Sequence, residues 1–236
     1  MEGFAGEFTG TMLLLLMGSG VVANVVLQGT KGHNSGWLVI TFGWAMAVFV
    51  CVIVSTRLGG SGHLNPAVTL ALSLFHDFDD TLVLPYVIAQ MAGGFVGSAV
   101  VWLMYKPHFD MTDDRDLKLA VFCTAPAIRN TTHNFFAELV ATFVLVFGAL
   151  AISKPSDTLG TLNALPVALL VLGIGLCLGG PTGYAINPAR DLGPRLAHFI
   201  LPIKNKRDSD WSYAWLPVVA PIAGACLAVL IYTTIL

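Results

Sequence analysis

Charge is scarce in this sequence. Only 11% of its 236 residues are charged, whereas a soluble domain usually carries about a quarter. Hydrophobic residues make up 56% of the chain, and the mean hydropathy is +0.76. The net charge of −2 gives no reason to expect nucleic acid as a partner. This composition excludes an ordinary soluble domain and indicates a chain that is surrounded by the lipid bilayer.

Paired cysteines and metal-ligand spacings are also lacking. The four cysteines are scattered, and no CxxC or Cys/His spacing occurs. The sequence therefore predicts neither a disulfide framework nor a zinc site. No nucleophile–base pair stands in the apolar segments either, so we expect no enzymatic activity and no cofactor.

Long apolar segments are abundant. A helix needs about 20 apolar residues to cross a bilayer core that is about 30 Å thick. The first segment is too long for a cleaved signal peptide and lacks its basic start. The sequence therefore predicts an all-α membrane protein with six spanning helices, at 5–26, 36–56, 82–105, 132–153, 161–179 and 212–236.

The chain contains an internal repeat. Residues 63–71, His-Leu-Asn-Pro-Ala-Val-Thr-Leu-Ala, are similar to residues 185–193, Ala-Ile-Asn-Pro-Ala-Arg-Asp-Leu-Gly. The helices ahead of them also match, since residues 6–11 resemble residues 137–142. Each half has three spanning segments and one short apolar stretch. Because three is odd, the second half must enter the membrane inverted relative to the first.

This repeat predicts the domain organisation. We expect a single transmembrane domain over residues 1–236, with a first repeat at about 1–105 and a second at about 132–236. The charged segment 106–131 is then a linker outside the membrane. Inverted repeats place their functional site near the bilayer midplane, on broken helices.

Each repeat carries one Asn-Pro-Ala tripeptide, Asn65-Pro66-Ala67 and Asn187-Pro188-Ala189. Asparagine is a favoured helix N-cap, and proline suits the first helical position because its missing N–H would have no partner there. The apolar stretches that follow, 66–75 and 188–199, are too short to span a bilayer. We expect two re-entrant half-helices whose N-termini meet at mid-membrane.

Such a meeting point predicts a pore. Both helix N-termini carry partial positive charge, which repels cations, and Asn65 and Asn187 can each turn an amide N–H into the lumen. Non-helical backbone is tolerated at this depth only inside protein or along a watery cavity. A row of carbonyl acceptors that ends at two amide donors is suited to the passage of hydroxyl-bearing molecules in single file. The backbone expected to line the pore belongs to Gly62, His63, Leu64, Gly183, Ala185 and Ile186.

Two carboxylates stand inside the apolar segments. Glu7 and Glu138 are functional candidates because intramembrane charges are costly, and a proton-coupled carrier would use them. Their equivalent positions, early in two matching helices, favour a different role. We expect each carboxylate to brace a re-entrant loop by accepting hydrogen bonds from its backbone.

Residues 62–69 and 183–191 resemble the two signatures of the aquaporin family, and the resemblance extends over nearly the whole chain. With Asp191 directly after Asn-Pro-Ala-Arg, the sequence resembles the bacterial glycerol facilitators in particular. Asp191 is expected to brace loops. The resemblance implies a channel for glycerol, small uncharged polyols and water, in the plasma membrane of a bacterium. It also implies a homotetramer, with which the small residues Gly93, Gly94 and Gly97 are compatible.

The resemblance also implies a selectivity filter. Arg190 matches the filter arginine, Tyr184 the aromatic residue six positions earlier, and Gly175 the residue fifteen positions earlier. The fourth position falls on Trp44 or, because the segment before the first Asn-Pro-Ala is one residue longer than in glycerol facilitators, on Phe42. Aromatic rings suit the C–H edge of a polyol, and the guanidinium offers a fixed fork of donors.

Two other functions remain open at this point. A mainly water-selective pore would have a narrower and more polar filter. A secondary transporter also uses inverted repeats and broken helices, and it would show concentrative, ion-dependent uptake.

Overall fold

Apolar helices make up most of the chain. A computed structural model describes residues 3–75, 78–152 and 160–235, and within these three stretches no strand occurs. One turn of 3₁₀ helix covers Gly160–Leu162. The α-helices of the described residues are α1 Phe4–Val26, α2 Trp37–Arg57, α3 Pro66–Leu74, α4 Asp80–Met104, α5 Lys106–Met111, α6 Arg115–Ala120, α7 Thr131–Ile152, α8 Leu165–Cys177, α9 Pro188–Ile200 and α10 Leu216–Ile235.

Among the described residues, five helices are long and apolar enough to cross a membrane: α1, α2, α4, α7 and α10. The sixth, α8, has 13 residues and is about 20 Å long at 1.5 Å per residue. The predicted span at 161–179 is therefore too long at both ends. Helix α8 stops at Cys177 because Gly179-Gly180-Pro181 follows, and proline cannot continue a helix.

The helices form two equivalent groups. In the first, α1 packs against α2 and α4; in the second, α7 packs against α8 and α10. The half-helices cross between the groups, since α3 packs on α10 and α9 packs on α4. The structure thus has the predicted six apolar helices, two half-helices and inverted repeat. The residue bounds expected for the repeats and the linker stay predictions.

Small residues bring the backbones of helices together within the chain. A Cβ on Gly93 would lie 2.4 Å from the carbonyl oxygen of Phe8, and one on Gly97 would lie 2.2 Å from that of Met12. Gly94 faces the backbone of α9 in the same way. These glycines therefore hold α4 against α1 and α9 within the chain, and the sequence alone shows only that they are compatible with close packing.

The expected linker forms α5 and α6. Its charged residues pair with one another and with the loop after α9: Lys106 pairs with Asp110, and Arg207 pairs with Asp116. The amino group of Lys118 donates to the carbonyl of Lys204 at 2.7 Å. These contacts cover the same end of the bundle at which α9 ends.

Candidate functional site

The two half-helices begin in the same way. The Oδ1 atom of Asn65 accepts from the N–H of Ala67 at 3.0 Å, and that of Asn187 accepts from the N–H of Ala189 at 2.9 Å. The proline after each asparagine stands at the start of its helix. Because proline has no N–H, that position leaves no donor unsatisfied. The tripeptides therefore start helices for the reasons read from the sequence.

The asparagines also hold the two halves together. The amide of Asn65 donates to the carbonyl of Ile186 at 2.8 Å, and the amide of Asn187 donates to the carbonyl of Leu64 at 2.7 Å. An asparagine amide has two N–H donors, so each side chain keeps a second donor. Both residues border the central cavity. Sequence reasoning placed these amides at the lumen but missed the reciprocal bonds.

The backbone ahead of each half-helix is unusual. Leu64, Tyr184 and Ile186 have φ angles of 52°, 39° and 46°. Positive φ is uncommon outside glycine and is costly for a β-branched residue such as isoleucine. Such conformations persist only where surrounding contacts hold them, and they cluster at functional sites. Gly62 and Gly183, at 72° and 82°, adopt the same region without that cost.

Glu7 supplies such contacts in the first half. Its carboxylate is fully buried and accepts from the backbone N–H of His63 at 3.0 Å and of Leu64 at 2.7 Å. The Ser55 hydroxyl and the Gln90 amide donate to it as well, at 3.1 and 2.8 Å. These donors compensate the loss of water around a buried carboxylate.

Glu138 occupies the equivalent place in the second half. It is fully buried and accepts from the backbone N–H of Ala185 and of Ile186, both at 2.9 Å. The Thr182 side chain also hydrogen-bonds to it. Neither Glu7 nor Glu138 borders the cavity. Both carboxylates thus contact the loops and not the lumen.

A cavity of about 360 Å³ runs along these loops. Eleven apolar side chains from the helices border it: Leu14, Val48, Val52, Val68, Leu72, Leu145, Val146, Ala149, Leu150, Val167 and Val171. The residues ahead of and at the asparagines that border it are Ser61, Gly62, His63, Leu64, Asn65, Tyr184, Ala185, Ile186 and Asn187. Of the backbone expected to line a pore, only Gly183 does not border this cavity.

Trp44 and Arg190 are in contact at the cavity wall. The guanidinium carbon of Arg190 lies 4.3 Å from the centroid of the Trp44 ring, a cation–π contact. Both residues are buried and border the cavity. The Nη1 atom of Arg190 is buried without a partner in the protein. Phe42, the alternative to Trp44, is 51% exposed and does not border the cavity.

Gly175 lies behind the ring of Tyr184. A Cβ on Gly175 would lie 3.0 Å from Cζ of Tyr184 and 2.9 Å from Cγ2 of Thr41. Gly175 itself does not border the cavity. Its lack of a side chain therefore leaves room for the tyrosine, which does border it, and affects the width of the lumen through that ring. The buried Tyr184 hydroxyl has no partner in the protein.

Asp191 contacts loops, and its ion partner is not Arg190. Its Oδ2 accepts from the N–H and the hydroxyl of Thr124, at 2.8 and 2.7 Å. Its Oδ1 pairs with Arg195, whose guanidinium also donates to the carbonyls of Ser209 and Thr124. Sequence reasoning missed Arg195. The i,i+4 spacing of Asp191 and Arg195 on a short helix was the available signal.

His63 is held by neighbours within the protein. Its Nδ1 lies 3.0 Å from the hydroxyl of Thr69, and its ring contacts Phe78 and Tyr86 edge-on. In the part of the chain that the structure describes, no cluster of three His, Cys, Asp or Glu residues could hold a metal.

Comparison with known proteins identifies the family. The sequence profile of the major intrinsic protein family matches residues 1–232. The chain belongs to this family. The predicted membership of the aquaporin, or major intrinsic protein, family is therefore confirmed, and with it a multi-pass membrane channel that is not an enzyme. The residue roles in the filter and at the midplane stay predictions.

Relatives and a solved structure of the family align over nearly the full chain. A probable glycerol uptake facilitator protein of Thermotoga maritima is 54% identical over 98% of both chains, and the glycerol uptake facilitator protein of Streptococcus pneumoniae R6 is 51% identical over 99% of both. A D/L-lactic acid transporter of Lactiplantibacillus plantarum is 44% identical, over 94% of this chain and 92% of the relative. The aquaglyceroporin of Plasmodium falciparum superposes with a TM-score of 0.86 at 33% identity, covering 97% of this chain and 93% of the other.

Proposed function

We propose that the chain is a passive channel for glycerol, related small uncharged polyols and water. The observation that carries this proposal is the composition of the cavity wall. Loops with carbonyl groups and two asparagine amides face the same space as apolar side chains such as Leu14, Val52 and Val171. A polyol has a hydroxyl edge and a C–H edge, and this wall has a complement for each.

Trp44, Tyr184 and Arg190, with Gly175 behind the tyrosine, form the proposed selectivity filter. The burial of Trp44 against Arg190 and the exposure of Phe42 support Trp44 for the first position. Arg190 borders the cavity, and its guanidinium is the proposed donor to a passing hydroxyl. The two rings supply apolar surface for the carbon chain.

Asn65 and Asn187 are the proposed midplane donors. Each keeps one N–H after its bond to the opposite half, and that N–H is available to a permeating hydroxyl. The N-termini of α3 and α9 carry partial positive charge at this point, and Arg190 adds a full charge at the filter. Both features raise the barrier for cations and for hydrated protons.

We assign Glu7 and Glu138 to structural bracing. Each accepts two backbone N–H bonds from the strained loop of its half, and neither borders the cavity. A carrier that couples transport to protons needs its carboxylate in contact with the pathway. This arrangement favours a passive channel over a secondary transporter.

The names of the relatives indicate two kinds of solute. The two most identical relatives named above carry the name of glycerol uptake facilitators, and a 44% identical relative is named a D/L-lactic acid transporter. The lack of a side chain at Gly175 and the two filter rings favour a polyol over a pore that passes only water.

Flux into proteoliposomes tests the proposal. We expect fast glycerol entry that stops at equal concentrations and needs neither ions nor ATP, together with water flow in the same vesicles. Accumulation of glycerol against its gradient, or loss of entry when ions are removed, would refute a passive channel. Water flow without glycerol entry would favour the water-selective alternative.

A matched pair of variants links flux to the cavity. Val171→Trp places a large ring in the cavity that Val171 borders, whereas Val219→Trp places one on a surface that is exposed in the protomer. We expect the first variant to lose most glycerol and water flux and the second to retain both. Equal flux through both variants would show that this cavity is not the pathway.

We also propose a homotetramer in a bacterial plasma membrane. The family resemblance and the bacterial relatives support this, and the exposed apolar side chains of α2, α4 and α10 suit lipid or a neighbouring protomer. Native mass spectrometry of the detergent-solubilised protein gives the oligomeric state. A monomer that conducts at full rate would overturn the assembly without affecting the pore.

A further inference from the structure

Trp37, the first residue of α2, contacts two of the proposed filter residues from outside the cavity. Its indole N–H donates to the carbonyl oxygen of Gly175 at 3.0 Å. Its ring meets that of Tyr184 edge-on, with 5.7 Å between centroids and 86° between planes. Trp37 does not border the cavity, and no sequence motif pointed to it.

Both contacts fall where the backbone needs support. Gly175 lies in the last turn of α8, where the carbonyls have no partner within the helix, so the indole supplies a donor that the helix lacks. Tyr184 has a φ of 39°, a conformation that its neighbours must hold. These two residues therefore depend on contacts from another element, and Trp37 provides one to each.

A second glycine completes the pocket around the tyrosine. A Cβ on Gly179 would lie 2.4 Å from Cδ1 of Tyr184 and 2.9 Å from Cζ2 of Trp37. The tyrosine ring is thus bounded by Gly175, Gly179 and the indole. Of these three, only the indole has a side chain whose removal would open space.

We propose that Trp37 is a positioning residue for solute selection. It holds the Tyr184 ring and the end of α8 in place at the proposed selectivity filter, the constriction of the pathway. This proposal rests on the proposed function of the cavity as a polyol pathway. Without the indole, Tyr184 gains room away from the lumen and Gly175 loses its donor. The constriction then widens, and selection by size weakens.

Three variants separate the contacts. Trp37→Ala removes both, Trp37→Phe keeps a ring edge and loses the N–H, and Trp215→Ala is the control. Trp215 is 46% exposed against 42% for Trp37, stacks on Phe135 and does not border the cavity. The alanine control thus tests the loss of a half-exposed tryptophan as such.

The first readout is the permeability of a five-carbon polyol relative to glycerol in the same vesicles. A ratio is independent of the amount of folded protein. We expect Trp37→Ala, which removes both contacts, to raise this ratio about fivefold, and Trp37→Phe, which loses only the N–H, to raise it less. Trp215→Ala should leave it unchanged. A uniform loss of all fluxes, or an unchanged ratio, would overturn the positioning role.

The second readout does not depend on the solute. Fluorine NMR of protein labelled with 3-fluorotyrosine gives one signal for each of the five tyrosines, and Tyr184→Phe assigns that of Tyr184. We expect Trp37→Ala to broaden this signal, because the Tyr184 ring gains alternative positions, and Trp215→Ala to leave it unchanged. A Tyr184 signal that stays sharp in Trp37→Ala contradicts the proposal, even if the wild type conducts no glycerol. If the signal broadens but the wild type shows no glycerol flux, only the proposed solute is contradicted.

Discussion

Glu7 in the first half of the channel and Glu138 in the second accept the same pair of bonds, from the two backbone N–H groups just before an asparagine. The asparagines then donate to each other's loops with nearly equal distances, 2.8 and 2.7 Å. Around the two asparagines, the halves are therefore alike in geometry as well as in sequence.

The two halves differ from the third residue after each asparagine onward. Val68 stands on α3 where Arg190 stands on α9, and Thr69 stands where Asp191 does. Thr69 donates to a backbone carbonyl and contacts Gln90, whereas Asp191 forms a buried ion pair. The shared residues build the meeting point of the half-helices, and the unshared residues give only the second half an arginine at the proposed selectivity filter. The predictions below test this division.

The largest effect is expected at the ion pair that only the second half has. Arg195→Met leaves Asp191 buried without its partner, which costs about 3–5 kcal/mol of folding free energy. Ser73→Ala, the equivalent position on α3, removes one hydrogen bond and should cost about 1 kcal/mol. Thermal unfolding in detergent measures both. Adding Asp191→Asn to Arg195→Met should recover part of the loss, and equal costs at the two positions would contradict the asymmetry.

The next effect concerns the contact that both halves share. Glu138→Gln keeps the size of the side chain but turns an N–H donor toward backbone donors, at a cost of about 1–3 kcal/mol. Glu7→Gln should cost a similar amount. We expect lower folded yields for both variants and an unchanged glycerol-to-water ratio in the protein that folds. A variant that folds normally but conducts nothing would assign its glutamate to transport.

A smaller energetic effect is expected at the filter, with a large consequence for selectivity. Gly175→His is combined with Tyr184→Thr, because a side chain at position 175 would meet the Tyr184 ring. The double variant replaces the apolar ring with polar side chains and narrows the proposed filter. We expect the glycerol-to-water permeability ratio to fall about tenfold, which corresponds to about 1.4 kcal/mol of barrier.

Stopped-flow swelling and shrinkage of the same vesicles report both fluxes. Gly173→His is the control, because a Cβ on Gly173 meets nothing within 4 Å. If the double variant and the control give the wild-type ratio, Gly175 and Tyr184 do not shape the constriction, and the assignment of Trp44 as their partner loses its support.

The smallest effect is expected in the loop after α9, at the contact between Arg129 and Asp210. Burial raises the pKa of Asp210, but hydrogen bonds from Arg129 and Ser212 outweigh it, so that the pKa lies below its ordinary value. A lowered pKa stabilises the fold above the unfolded-state pKa, and the gain disappears as the pH falls through the folded-state value. Arg129→Met should therefore cost less than about 1 kcal/mol at pH 7, since Arg129 is half exposed.

Unfolding of Arg129→Met and of the wild type at neutral and at acid pH checks this dependence. The difference between the two proteins should shrink below the usual carboxylate pKa. A constant difference across this range would mean that Arg129 acts through its contact with the ring of Tyr213 and not through the charge of Asp210.

Several features were readable from the sequence because they depend on neighbours in the chain. The N-caps Asn65 and Asn187, the apolar length of five spanning helices and the order of the two halves are of this kind. The length of α8 was overestimated, since hydropathy alone does not register where Gly179-Gly180-Pro181 ends a helix. The sequence shows that the glycines of α4 are compatible with close packing, but it does not show that the backbones they face belong to α1 and α9.

The sequence by itself determined that the chain enters lipid, that it does so as an inverted repeat, and where its half-helices start. Local chemistry is sufficient for these features, since burial of apolar length and capping of helix ends involve residues close in the chain. The tertiary structure alone decided the reciprocal bonds of Asn65 and Asn187, the bonds of Asp191 with Thr124, and the contacts of Trp37 with residues 138 and 147 positions away. These contacts join distant segments, and only the packing of the helices brings them within hydrogen-bond distance.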